Sequence, residues 1–72
     1  MKKIKKIKIR VNGKVKFISE NYRMLDLVKN LKIPMKKVAI ELNQQIIDKK
    51  KINKINLEKN DKIEIVHFIG GG

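Results

Sequence analysis

Few of the 72 side chains could make or break a covalent bond. There is no Cys, no Thr, one Ser (Ser19) and one His (His67). Side-chain nucleophiles are therefore almost absent, and a single His without any Cys makes no metal set of recognisable spacing. His67 falls in a patterned strand, where it reads as a surface or half-buried strand residue rather than a catalyst. The seven Asp and Glu are scattered, with no pair spaced for acid–base work, and the glycines lack phosphate-loop spacing. What remains is the run Gly70-Gly71-Gly72, which abuts the strand pattern without a spacer. Glycine has no Cβ, so such a run can enter a slot too narrow for other residues. The carboxylate of Gly72 is then the expected reactive group, within reach of another protein's catalytic cleft.

A group at the end of a chain needs a body to carry it, and length sets the scale of that body. Seventy-two residues make at most one domain, with a small core and no disulfide to compensate. The expected division is a folded domain over residues 1–69 and a flexible tail over 70–72. No apolar run approaches the roughly 18 residues of a membrane span, and the Lys-rich start lacks a hydrophobic segment for a signal peptide. With no cysteine, the expected setting is the reducing cytoplasm.

The formal charge of +12 suggests a nucleic-acid binder at first sight. Seventeen of the nineteen cations are Lys, however, and Lys, Ile and Asn together make 37 of the 72 residues, as A/T-rich codons would give. Only Phe17, Tyr22 and Phe68 could stack on bases, and only Arg10 and Arg23 are arginines. Composition thus argues for genomic drift over nucleic-acid recognition, although the field attracts anions whatever its origin.

Periodicity places the elements. Ile7, Ile9 and Val11 alternate with Lys6, Lys8 and Arg10, and Asn12-Gly13 is a hairpin signal because both turn positions need positive φ. A second strand follows, with Val15 and Phe17 expected inward and Lys14 and Lys16 outward. From Met24 the period becomes helical: Met24, Leu27, Val28 and Leu31 share a face, and Asp26 lies in the first turn. Ser19 and Asn21 are candidate caps, and Ile33 before Pro34 stops the helix. Val38, Ile40 and Leu42 mark a third strand, Asn43-Gln44-Gln45 a turn, and Ile46-Ile47 a short extended piece. Residues 48–57 are too broken for an assignment. Asn60-Asp61 turns the chain into a last strand over Lys62–Phe68. One helix among strands must cover one face of one sheet, an α+β arrangement. Its expected core is Ile7, Ile9, Val11, Val15, Phe17, Leu27, Val28, Leu31, Ile40, Leu42, Ile63 and Ile65. Val66 and Phe68 have the opposite parity to Ile63 and Ile65; they either form an exposed docking patch beside the tail or pack under a loop from residues 48–57.

Order, size and Gly-Gly ending resemble a β-grasp, ubiquitin-like protein, and more narrowly the ThiS family of sulfur carriers. Ile9-Arg10-Val11-Asn12-Gly13-Lys14 is similar to that family's opening hairpin, and Asp26-Leu27-Val28 with Leu31 to its helix. Val38 to Ile47 resembles its Val-Ala-Val-Glu-Leu-Asn segment, and Asn60 to Gly72 its C-terminal signature. The family's Pro-Arg and following Trp are replaced by Asp48-Lys49-Lys50-Lys51-Ile52, and the Gly of its Gly-Asp turn by Asn60. The resemblance implies a single mixed sheet of four to five strands, one main helix on one face and an extended tail. It implies that Gly72 carries an adenylate and then a thiocarboxylate, that Gly70 and Gly71 enter a partner's channel, and that Val66, Phe68 and Ile69 dock. The partners implied are a ThiF-like adenylating enzyme, a persulfide sulfur donor and a ThiG-like thiazole synthase. The chain itself would bind no cofactor, ATP and Mg²⁺ being used by the activating partner. It would be a co-substrate rather than an enzyme, serving thiamine thiazole biosynthesis. Sister carriers of the same fold, the MoaD-like subunits of molybdopterin synthase and the ubiquitin-related modifier, are alternatives. A basic nucleic-acid module with an incidental tail is a rival of another class; its binding would fall steeply with salt and ignore loss of Gly72.

Overall fold

The computed structural model describes residues 5–68. The chain runs β1 (Lys6–Val11), β2 (Lys14–Ser19), α1 (Met24–Asn30), a 3-10 turn (Met35–Lys37), β3 (Val38–Leu42), β4 (Gln45–Ile46), a 3-10 helix (Lys49–Lys54) and β5 (Lys62–His67). The five strands form one mixed sheet in the order β2-β1-β5-β3-β4, with β1 and β5 parallel at its centre and the other pairs antiparallel. This is the expected α+β sheet with one main helix, the β-grasp arrangement. Among the described residues no helix is long and apolar enough to cross a membrane.

Asn12 and Gly13 make the β1–β2 turn at φ of 50° and 82°, a two-residue turn whose twist matches its strands. The turn sets Val11 opposite Lys14, Ile9 opposite Lys16 and Ile7 opposite Ile18. Directly opposed residues share a face, so β2 lies the other way up from the expectation. Ile18 is buried at 5% exposure, whereas Val15 and Phe17 stand on the open face at 47% and 63%. Lys14 and Lys16 take the helix side, where β2 is the sheet edge and leaves their ammonium groups a path to water.

Helix α1 starts at a cap that neither Ser19 nor Asn21 supplies. Arg23 is the N-cap, and its backbone N–H donates to Asp26 Oδ2 at 2.9 Å, with the guanidinium Nε at 3.5 Å from the same oxygen. That backbone hydrogen bond, with the neighbouring guanidinium, holds the Asp26 carboxyl below its ordinary range. The C-terminus closes before Pro34 is reached. Lys32 takes φ 55°, the Ile33 N–H reaches the Val28 carbonyl at 3.1 Å and the Lys32 N–H the Lys29 carbonyl at 3.2 Å, a Schellman pair that satisfies two free carbonyls. Leu31 is thereby left at the cap, 39% exposed, and not in the core.

Met24, Leu27 and Val28 press on Ile9, Ile18, Val38, Ile40 and Ile63 of the sheet. Ile52 and Leu57, from the unassigned stretch, close the layer. That stretch is held by Asp48, whose carboxylate accepts the Lys50 N–H at 2.9 Å, and by the Leu57 N–H to the Tyr22 carbonyl at 2.8 Å. The inverted face of β2 gives a direct test by denaturant unfolding. Ile18→Ala should cost about 2–4 kcal/mol as a buried truncation, and Phe17→Ala less than about 1 kcal/mol; the reverse ranking would contradict the register.

Candidate functional site

With side-chain chemistry so sparse, the candidate site is the end of β5 and what holds it. Beneath the sheet, β5 contributes Ile63 and Ile65 to the helix side; above it, Lys62, Glu64, Val66 and Phe68 form a row that turns from charged to apolar towards the tail. Val66 is 48% and Phe68 53% exposed. The pair is therefore exposed rather than packed under the 48–57 stretch, which reaches Phe68 only through Lys49 Nζ at 5.4 Å from the ring centroid. Val66 stands opposite Ala39, and Ile46 at 75% exposure shares the face through its pairing with Glu41, itself opposite Glu64. Ile46 is an addition that the sequence reading did not place here; Val15 and Phe17 share the open face but stand opposite Arg10 and Lys8, towards the start of β5. Ile46 could have been found from the Asn43-Gln44 turn, since such a turn opposes Glu41 to Ile46. Ile69, Gly70, Gly71 and Gly72 lie outside the described residues, as does the expected 1–69 domain boundary.

Three polar side chains fasten β5 in place. Parallel pairing with β1 covers only Arg10–Lys62 and Val11–Ile63. Asn12 extends it: its N–H donates to the Ile63 carbonyl at 2.9 Å and its Oδ1 accepts the Ile65 N–H at 2.8 Å. At the other end of the strand Asp61, 9% exposed, accepts from Asn43 Nδ2 at 3.0 Å and from the Glu58 N–H at 2.7 Å. Asn43 in turn accepts the Lys62 N–H on Oδ1 at 2.9 Å and donates its own N–H to the Lys62 carbonyl at 2.8 Å. The turn residues Asn12, Asn43 and Asp61 thus serve as clips on the strand that leads to the tail. Past Ile65 the strand is held on the β3 side alone, where the Phe68 N–H meets the Lys37 carbonyl at 2.9 Å.

His67 is exposed at the end of β5, and no group of His, Cys, Asp and Glu that could hold a metal occurs among the described residues. Every buried side-chain nitrogen and oxygen among them has a hydrogen-bond partner. The arrangement can position a backbone and offer an apolar surface beside it.

Residues 5–72 match the model of the ThiS family. The chain is 38% identical to the sulfur carrier protein ThiS of Bacillus subtilis over 65 residues, covering 89% of this chain and 98% of that one. It is 35% identical over 66 residues to a thiazole synthase of Paramagnetospirillum magneticum, 92% of this chain but only 20% of that protein. Its fold superposes on the crystal structure of the thiamine biosynthesis protein ThiS of Geobacter metallireducens with a TM-score of 0.79 at 26% identity, over 92% of this chain and all of the other. For the clips, Asp61→Ala strands the Asn43 amide and the Glu58 N–H; it should cost about 1.5–3 kcal/mol in denaturant unfolding, and a loss under about 0.5 kcal/mol would show that Asp61 does not hold the turn.

Proposed function

The chain belongs to the ThiS family, and from that premise we propose that it carries sulfur on the C-terminal carbonyl of Gly72 for the making of a thiazole. Support comes from the lack of side-chain chemistry elsewhere, from a tail with no side chains, and from a strand pinned along most of its length that immediately precedes this tail in the sequence. The observation that carries the reading is the central β5, held by three side-chain clips and followed in sequence by Ile69-Gly70-Gly71-Gly72.

The chemistry follows from the carboxylate. An α-carboxyl with a pKa of about 3.5 is ionised at neutral pH and is a poor electrophile. A ThiF-like partner using ATP and Mg²⁺ joins it to AMP with release of pyrophosphate, so that the leaving group becomes a phosphate. The terminal sulfur of a persulfide attacks the acyl carbon and AMP departs. A second thiol takes the donor's remaining sulfur as a disulfide and frees the thiocarboxylate on Gly72. Gly70 and Gly71 pass through the partner's channel, where a Cβ would collide. The chain is a co-substrate in these steps and binds neither ATP nor Mg²⁺ itself. Val66 and Phe68, with Ile69 beyond them, dock on the partner; an exposed apolar pair beside the reacting end places binding energy where it orients the tail. A ThiG-like synthase receives the sulfur. This partner is supported by the thiazole synthases of which a fifth resembles this chain.

The test is intact-protein mass spectrometry after incubation with ATP, a ThiF-like enzyme and a persulfide donor. The expected product has one oxygen replaced by sulfur, and deletion of Gly72 abolishes it. A wild-type chain that stays unmodified beside a control carrier that is converted would overturn the reading.

A further inference from the structure

The end of β5 has one fastening that is neither core nor strand pairing. Beyond Ile65, whose N–H is taken by Asn12 Oδ1 at 2.8 Å, β5 has no β1 neighbour. Val66, His67 and Phe68 are held on one side only, by Ala39, Val38 and the Lys37 carbonyl. A strand end with a single neighbour and exposed side chains is the part of a sheet that opens first. Lys49 crosses to this place from the start of the 3-10 helix. Its Nζ donates to the Met35 carbonyl and lies 5.4 Å from the centre of the Phe68 ring, within range for a cation held by an aromatic face. Met35 begins the turn whose last residue, Lys37, accepts the Phe68 N–H. One ammonium therefore ties the side chain of Phe68 to the same short turn that ties its backbone.

The base of Lys49 is itself fixed. Asp48 caps the 3-10 helix, taking the Lys50 N–H on Oδ1 at 2.9 Å and the Lys51 N–H on its carbonyl at 2.9 Å. Lys49 is half-buried, unlike the exposed Lys50 and Lys51 beside it. Surplus lysine spread over a surface does not account for a half-buried ammonium with two partners. The geometry points to Lys49 as a positioning residue: a clasp on Phe68 that fixes the last residue before the tail, and so lessens the ordering an activating partner must impose when it takes up the chain end. This inference rests on the sulfur-carrier reading for its consequence, though not for the clasp itself. Fixing Phe68 in advance removes part of the ordering that binding would otherwise require. The effect belongs in the carrier's KM as a substrate of the adenylating enzyme rather than in kcat, since Lys49 does not touch the reacting carbonyl.

The test compares Lys49→Met, which keeps an unbranched apolar stem without charge, with Lys49→Arg, which keeps the cation. Amide hydrogen exchange at Phe68, read against Ile63 in the same sample, reports the clasp without any partner enzyme. Thiocarboxylate formation over a range of carrier concentrations reports its consequence. For Lys49→Met we expect Phe68 exchange and the carrier's KM both to rise by about 3- to 10-fold, with kcat and the Ile63 amide unchanged and Lys49→Arg close to wild type. Unchanged Phe68 exchange in Lys49→Met overturns the clasp. Faster exchange with an unaltered KM overturns the positioning role. A wild-type chain that never gains sulfur overturns the carrier reading instead, while Phe68 exchange still decides whether the clasp exists.

Discussion

The structure depends on one constraint: the strand that leads to the C-terminus must lie in the middle of the sheet and still end free. Strand β5 meets it by pairing with β1 on one side and β3 on the other, then outrunning β1. A central strand is protected from fraying by two ladders and a buried underside, here Ile63 at 1% exposure above Leu27 at 0%. A strand that outruns its neighbour gives up that protection within a few residues. Asn12 manages the passage from one state to the other, its side-chain oxygen taking the Ile65 N–H just past the end of β1, while Asn43 and Asp61 fasten the start of the strand. Of the three only Asp61 is buried, and its burial is tolerated because its carboxylate is satisfied, like every buried side-chain nitrogen and oxygen among the described residues.

The two faces of the sheet divide the work. The underside spends the apolar residues of a small chain on one helix and the 3-10 segment around Ile52 and Leu57. The open side carries Lys6, Lys8, Arg10 and Lys62 together with Val15, Phe17, Ile46, Val66 and Phe68. Lys8 opposes Phe17 and Arg10 opposes Val15, so long aliphatic stems lie beside apolar groups while their charges stay in water. Such a face is well suited to meeting another protein and poorly suited to reading nucleic acid, which would want more rings and more guanidinium groups.

Much of this was legible in the sequence, because short-range signals dominate a fold with short loops. Asn12-Gly13, the Lys–Ile alternation and the helical spacing of Met24, Leu27 and Val28 locate their elements within a residue or two. The inward face of β2 was misread from the same hairpin: Phe17 is the larger apolar residue, but pairing through a two-residue turn puts Ile18 on the side of Ile7 and Ile9. The cap escapes the sequence because Arg23 is not a usual capping residue and works chiefly through its backbone N–H, leaving Asp26 as the visible sign. Leu31 fits the helical spacing yet falls at the cap, since Lys32 turns left-handed before another turn can form. Asn43 and Asp61 were visible as turn residues but not as a pair, being 18 positions apart; Lys49 and Phe68 are distant in the same way. The tail is plain in the sequence from its three glycines, and residues 69–72 lie outside the described residues.

The account stands on the claim that the working atom is the carbonyl carbon of Gly72 and that everything else positions it. The most direct measurement is the rate of thiazole formation in a reconstituted system whose only sulfur carrier is this chain with its C-terminal carboxyl converted to the amide, the fold being otherwise intact. An amide cannot be adenylated as a carboxylate can, so the account predicts no thiazole above background, with full activity from the free acid. Thiazole made at the unmodified rate from the amidated chain would contradict it.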